Sequence, residues 1–418
     1  MSTLLIIIIT VIALQILAQC MLDQMNAQFV LDNQASGEWR RYTAMDEASY
    51  NKSVAYTLSK LRFAQWESIY DGVLLCAFLG FGLIPWIYQS LLSAWGQHTF
   101  SMIGAFIVTL MILRIPDLPL GYWAQFKLEA RYGFNRSTLG LWIADRAKGA
   151  VVGAIIFGIL LWICVLMFQK FPENWWLWFF GIWVAFQLIM LIAYPKVILP
   201  LFNKLTPLED GELKERLVAL SKKSGFDLAR IEVLDGSKRS GHSNAMFTGF
   251  GRFRRIILYD TLINQLSPVE IEGVVAHEIG HYKLGHIPKL MGLSFTIGFC
   301  GLAVAAYLVS NPYFLGALDF SPMHYADKLL PTLMMLALIA PVALFWMQPL
   351  MNKLTRKYEY QADEYAHNLV GNAEPLVQAL RKLHKENLSN STPHPLYSAF
   401  YYSHPTVFER EKALTRPR

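Results

Sequence analysis

Seven runs of roughly 20 mostly apolar residues divide this chain, and an α-helix needs a run of about that length to cross the hydrocarbon core of a bilayer. They lie near Leu4–Leu22, Ile69–Leu91, Thr99–Ile115, Ala150–Phe168, Trp175–Ile198, Leu290–Val309 and Leu329–Leu350. Lipid cannot satisfy free backbone amides, so runs of this kind fold as helices or not at all. Charged residues make up 16% of the 418, where a soluble domain carries about 25%. The first run has no basic flank and no small-residue cleavage site, so it is expected to remain as a span and not be removed as a signal peptide. Gln15, Gln19 and Gln187 sit inside runs and are expected to face other helices or a water-filled cavity.

Basic residues collect on the cytoplasmic side of membrane proteins. With the N-terminus outside, seven spans leave outer loops near 92–98, 169–174 and 310–328, which hold Lys170 and Lys328 alone of the 37 lysines and arginines. The C-terminus is then cytoplasmic. A count of five or six would break this alternation. Trp175, Trp176 and Trp178 are expected as an aromatic belt at the outer end of the fifth span. Pro331, Pro341 and Pro349 are expected to kink the seventh. The net charge of +6 matters less than its distribution, which gives the topology, and no nucleic-acid partner is expected. Cys20, Cys76, Cys164 and Cys300 all lie in apolar runs with no C-x-x-C spacing, which excludes a disulfide framework and a cysteine-ligated zinc site.

The organisation is therefore all-α and polytopic, with a small α+β region on the cytoplasmic side. Residues 1–198 carry five spans and the loops 23–68 and 116–149. Residues 199–289 form a cytoplasmic catalytic region. Residues 290–350 carry spans six and seven, and 351–418 form a tail. Within 199–289, strands are expected at Ile231–Leu234, Asn244–Thr248 and Arg255–Tyr259.

Ser267-Pro268-Val269-Glu270 reads as a helix start: a capping serine, proline at the first position and a capping-box glutamate. His277-Glu278-Ile279-Gly280-His281 then falls inside a helix, where residues four apart share a face. Two such histidines can turn their rings to one Zn²⁺, and Glu278 can take a proton from the attacking water. Gly280 is expected to leave room near the metal. Two unrelated surface histidines are the bland alternative, which the helix start and the position beside a span disfavour.

A catalytic zinc takes three protein ligands. Glu359 and Asp363 lie four apart in a second helical stretch, Arg356–Ala366. Glu359 is assigned to the metal and Asp363 to the second N–H of a ligand histidine. The spacing alone equally permits the reverse, or Glu364 as ligand.

The run His277–His286 together with Tyr358–Asp363 resembles the Ste24-type CAAX prenyl proteases, zinc metalloproteases of family M48. Arg131–Asn135, Ser237–Ala245 and Tyr402–Pro405 resemble further motifs of that family, so the likeness spans about residues 130–410. Thr406 departs from it, standing where members often carry a second proline. The resemblance implies seven helices forming a barrel around an internal chamber, a zincin-like site near the cytoplasmic face, and Glu359 as third ligand. It implies removal of the last three residues after a prenylated cysteine. A bacterial member would instead serve membrane-protein quality control with no prenyl requirement, in the inner membrane and not the endoplasmic reticulum.

Near that site, His404 is expected to stabilise the oxyanion, with Arg410 as the alternative donor, and Asn244 and Arg410 are expected to contact a peptide or prenylated-peptide substrate. His286, nine residues after His277, is expected on a helix face away from the metal, in a structural role. His242 is expected as a loop residue. A transporter or channel, and a scaffold with a closed structural zinc, are the rival classes. The first would tolerate Glu278→Gln, and the second needs a fourth protein ligand.

Overall fold

The computed structural model describes residues 1–225, 230–248, 255–321, 323–324 and 327–415, so the last three residues of the tail lie outside it. Among the described residues, five helices are long and apolar enough to cross a bilayer: Thr3–Ser36, Thr99–Tyr132, Leu139–Lys170, Trp175–Phe202 and His286–Ser310. Two bent pairs bring the total to seven if each is one span.

Both bends have local causes. The expected second span belongs to a longer helix, Glu47–Gly80, which breaks and resumes as Leu83–Trp95 at 59°. Gly82 takes a left-handed conformation there (φ +61°), and a continued helix would drive the Pro85 ring into the carbonyl of Phe81. The expected seventh span ends at Phe345 and turns by 65° into Gln348–Val370. Pro349 opens that next helix; it lacks an N–H and clashes with the Phe345 carbonyl if the helix runs straight. Pro341 is accommodated inside the span.

The spans share one apolar core, made by Leu5, Tyr88, Phe106, Cys164, Trp175, Val309 and Met335 among others. It sits toward one end of the bundle, the end away from the motif histidines. In Leu139–Lys170 the buried residues are Leu161, Cys164, Val165 and Phe168; in His286–Ser310 they are Ala305, Val309 and, at the other end, His286. The remaining stretches of these helices are less deeply buried. Trp175 departs from the expected belt: it is 1% exposed and edge-on to Phe168 in the core, while Trp178 stays 56% exposed. Gln15 and Gln19 line a cavity of about 490 Å³ with Glu67, Asp71 and Arg114, so their polar ends avoid lipid.

The region after the fifth span folds around a four-stranded sheet. Strands β1 (Leu205–Pro207), β2 (Arg230–Leu234), β3 (Ala245–Thr248) and β4 (Arg255–Tyr259) pair in the order β1-β2-β4-β3. β2 and β4 run parallel, and β3 is antiparallel at the edge. β1 escaped the sequence reading because it is three residues long and ends in proline. β4 is buried along Arg255–Leu258, and its side chains pack with Leu217, Leu262, Val275 and Ile279 in a second core.

The helix Pro268–Lys283 (the motif helix) crosses this core. Its capping box forms as expected: Glu270 N–H donates to the Ser267 hydroxyl, and Ser267 N–H to the Glu270 carboxylate. Two glycines let other helices approach it closely. A Cβ at Gly273 would stand 2.8 Å from the Leu376 backbone nitrogen, and one at Gly280 would stand 3.0 Å from the Ala362 carbonyl oxygen. Gly280 thus makes room for the helix Gln348–Val370 (the carboxylate helix), not for the metal. Gly273→Val is expected to destabilise the protein by roughly 1–3 kcal/mol through overpacking against backbone. Gly149→Ala, whose Cβ meets nothing within 4 Å, should leave the melting temperature in detergent unchanged or slightly raised. Equal melting of Gly273→Val and the parent would contradict the close packing.

Candidate metal centre

His277 and His281 stand one turn apart on the motif helix, and their Nε2 atoms lie 3.0 Å from each other. Glu359 reaches both from the carboxylate helix: Oε2 is 3.4 Å from His277 Nε2 and Oε1 is 3.2 Å from His281 Nε2. Tetrahedral zinc with bonds of about 2.0–2.1 Å puts its ligand atoms about 3.3 Å apart, so this donor set fits. Glu359 Oε2 is buried and accepts no hydrogen bond. A buried carboxylate oxygen with no hydrogen bond is costly; Arg410 Nη1 stands 3.5 Å away, and a cation at this spot would complete the pairing. Among the described residues these three are the group of His, Cys, Asp or Glu that could hold a metal ion. No fourth such residue joins them, which leaves a coordination position open, as a catalytic site requires and a closed structural site does not.

The surrounding groups determine which nitrogen each ring turns inward. Asp363 Oδ1 lies 2.8 Å from His277 Nδ1, so that nitrogen carries the proton of the neutral ring, and Nε2 is the nitrogen left to face Glu359. Burial and the Arg410 charge push His277 toward its neutral form, but Asp363 and Glu359 outweigh them and raise its pKa to about 9. A cation at Nε2 competes with that proton. Glu278, beside His277, is half-buried; burial drives its carboxyl upward, against the pull of His277 and His281.

His286 is where the structure departs most from expectation. A continuous helix would have carried it away from the site. Instead the motif helix stops at Lys283, Gly285 turns left-handed (φ +68°), and His286 opens the next helix. Its Nδ1 comes 3.0 Å from His281 Nδ1, and its Nε2 comes 3.1 Å from Gln361 Oε1. One proton pattern serves this chain: His281 Nδ1–H donates to His286 Nδ1, and His286 Nε2–H donates to Gln361. The His286 ring also stacks on Tyr358, with centroids 4.2 Å apart. The Leu284-Gly285 pair was the available signal, since glycine is the usual residue just past a helix end.

The tail supplies the rest. Thr406 and Glu409 form a capping box that starts the helix Val407–Leu414, which turns Arg410 beneath the carboxylate helix. Arg410 was expected to contact substrate. It is 7% exposed instead, with Nε donating to Asp363 Oδ2 at 2.8 Å and Nη2 to Oδ1 at 2.5 Å. His404 lies at the exposed rim with Nε2 3.3 Å from Glu359 Oε1. Asn244 stands just before β3, and its carbonyl accepts from Tyr259 N–H. Asn244, Glu278, His404 and the three metal-facing residues line one cavity of about 290 Å³. A cavity of about 700 Å³, walled by Tyr56, His242, Tyr397 and Tyr402, adjoins it at His404 and Arg410.

His242 is more than a loop residue. Its ring stacks on Phe134 (4.0 Å), and Nδ1 lies 3.1 Å from Asn387 Oδ1. Gly241 N–H donates to the Phe134 carbonyl, and Asn135 bridges Ser240. The loop 131–135 and the segment 237–245 are thereby joined beside the site.

His286→Ala is expected to weaken metal binding about 10–100-fold, the usual cost of removing a group that orients a ligand histidine. His286→Asn keeps an acceptor near the Nδ1 position and should retain most of the affinity. Chelator competition on the purified protein measures both. Affinity equal to the parent in His286→Ala would show that His281 does not depend on this contact.

Residues 41–204 match the family described as CAAX prenyl protease N-terminal, five membrane helices, and residues 207–418 match Peptidase family M48. CAAX prenyl protease 1 of Saccharomyces cerevisiae is 36% identical over 394 residues, covering 88% of this chain and 86% of that protein. The Homo sapiens CAAX prenyl protease 1 homolog is 31% identical, also covering 88% and 86%. The crystal structure of S. mikatae Ste24p superposes with a TM-score of 0.89 at 31% identity, covering 99% of each chain. The membrane helices, the histidine and glutamate donor set and these matches agree: the chain is a multi-pass membrane protein belonging to peptidase family M48, a family of zinc metalloproteases.

Proposed function

We propose that this protein is a CAAX prenyl protease that hydrolyses the peptide bond after a prenylated cysteine, with one zinc ion held by His277 Nε2, His281 Nε2 and a Glu359 carboxylate oxygen. The observation that carries this reading is the donor set turned toward a cavity that also holds Glu278. The yeast and human relatives, which this chain matches over 88% of its length, are named as CAAX prenyl proteases, and this supports the substrate class.

Zinc, when bound, acts as a Lewis acid toward a carbonyl oxygen and lowers the pKa of a coordinated water toward ~7. Glu278 takes the proton of the attacking water on its carboxylate and returns it to the leaving amine nitrogen. Asp363 holds His277 in the tautomer that frees Nε2, and Arg410 holds Asp363. Arg410 is thus assigned to positioning and not to substrate. His404, at the rim, is assigned to donate to the oxygen that gains charge as the carbonyl is attacked.

The substrate backbone pairs along the outer edge of β3, beginning at Asn244. Strand addition of this kind uses main-chain bonds and tolerates varied side chains. The edge position of β3 among the described strands supports it. The adjoining cavity takes up the rest of the substrate. The N-terminus faces outside and the tail the cytoplasm, a reading supported by the two basic residues in the outer loops against 35 elsewhere, 37 in all. The membrane is the endoplasmic reticulum in a eukaryote and the inner membrane in a bacterium.

Two forms of one CAAX peptide, with and without a farnesyl group on the cysteine, test this with detergent-purified protein. The farnesylated form should be cleaved preferentially, and Glu278→Gln should lower turnover by about 10²–10⁴-fold. Equal cleavage of both forms, lost in the variant, would move the role to general membrane-protein proteolysis. Undiminished turnover in the variant would remove Glu278 from the chemistry.

A further inference from the structure

The carboxylate helix also borders a second cavity. Lys353, Arg356, Lys357 and Tyr360 recur at i, i+3, i+4 and i+7 and so share one side of it. They wall a groove of about 790 Å³, closed on its far side by Phe29, Tyr42, Thr392 and Phe408. The groove holds three cations and one carboxylate, Glu409. That carboxylate is engaged, since its Oε2 accepts from the Thr406 N–H and hydroxyl at 2.8 and 2.9 Å. Arg356 donates to the Ser398 carbonyl at 3.0 Å and meets no acid. Among the described residues, Lys353 and Lys357 have no ion-pair or hydrogen-bond partner.

The depth of the groove identifies its occupant. The apolar helix of the last span ends at Phe345, and a span standing along the membrane normal would, through the 65° bend, lay the next helix close to the membrane plane. At 1.5 Å per residue, Lys353 and Lys357 lie about 12 and 18 Å past Phe345. If the span stands along the membrane normal, the bend reduces this to roughly 5–8 Å of height. The headgroup layer on each side of a bilayer is about 5–8 Å thick. The cations therefore sit at the level of lipid phosphates, and aromatic rings stand opposite them.

We propose that this groove binds the headgroup of one anionic phospholipid, with its phosphate between Lys353 and Lys357 and its glycerol end against the aromatic wall. A zwitterionic headgroup carries its own cation and gains less from the groove. The bound lipid would brace the helix that also carries Glu359 and Asp363. This inference rests on the membrane location of the chain, not on the choice of substrate.

Native mass spectrometry of the detergent-purified full chain tests it, with phosphatidylglycerol and phosphatidylcholine titrated separately and inorganic phosphate added as a competitor. One phosphatidylglycerol should be retained at least about tenfold more tightly than phosphatidylcholine, and inorganic phosphate at equal concentration should not displace it. Lys353→Gln with Lys357→Gln should weaken retention about 30-fold, and Lys353→Gln alone about fivefold, taking each surface cation at its usual worth to an anionic lipid. Lys353→Arg with Lys357→Arg should keep it. The melting temperature of each variant in neutral detergent checks its fold, and the exposed Lys353 can be replaced singly if the pair cannot. Equal retention of the two lipids, displacement by free phosphate, or unaltered binding by the glutamine variants would overturn the proposal.

Discussion

The contact on which the rest depends is the one between two helix backbones at Gly280. The residues facing the metal position lie about 80 positions apart in sequence, with two membrane spans between them. They meet because the motif helix and the carboxylate helix approach until a Cβ at Gly280 would stand 3.0 Å from a carbonyl oxygen and 3.1 Å from a Cα of Ala362. A side chain there would push Glu359 and Asp363 off the two histidines together. Gly273 does the same for the helix Glu374–Glu386, which walls the cavity through Leu376, Leu380 and Leu383.

Electrostatics then explains why the contact encloses so many charges. Buried carboxylates are costly unless paired and hydrogen-bonded. Asp363 is satisfied by the Arg410 fork and by His277. Glu359 is satisfied less well, with one oxygen near His281 and His404 and the other lacking a hydrogen bond. A dication between Glu359 and the two Nε2 atoms would complete that pairing. The site is therefore organised for a charge at one point. The ring orientations, set by Asp363 on one side and by the His286–Gln361 pair on the other, aim both lone pairs at it.

What could be read from the sequence was what depends on neighbours along the chain. The capping box at Ser267–Glu270, the helix carrying His277 and His281, and the strands around 231–234, 244–248 and 255–259 all follow from residues a few positions apart. The apolar runs followed from length alone. What escaped was set by contacts across the fold or by a single turn. Gly82 and Gly285 each redirect a helix, and the periodic pattern on either side hides the break. His286 therefore looked remote from the site. Arg410 carries no signal that it would turn to Asp363 and not to substrate, because the direction depends on how the tail helix docks. Sequence spacing left Glu359, Asp363 and Glu364 as alternatives; the structure turns Glu359 to the Nε2 atoms and Asp363 to Nδ1.

X-ray absorption at the zinc edge of the purified protein tests the central claim most directly. The account predicts about one zinc per chain, with nitrogen and oxygen neighbours at about 2.0–2.1 Å, two of them imidazoles, and loss of the ion in Glu359→Ala. Sulfur neighbours at about 2.3 Å, or an unchanged spectrum in Glu359→Ala, would contradict it.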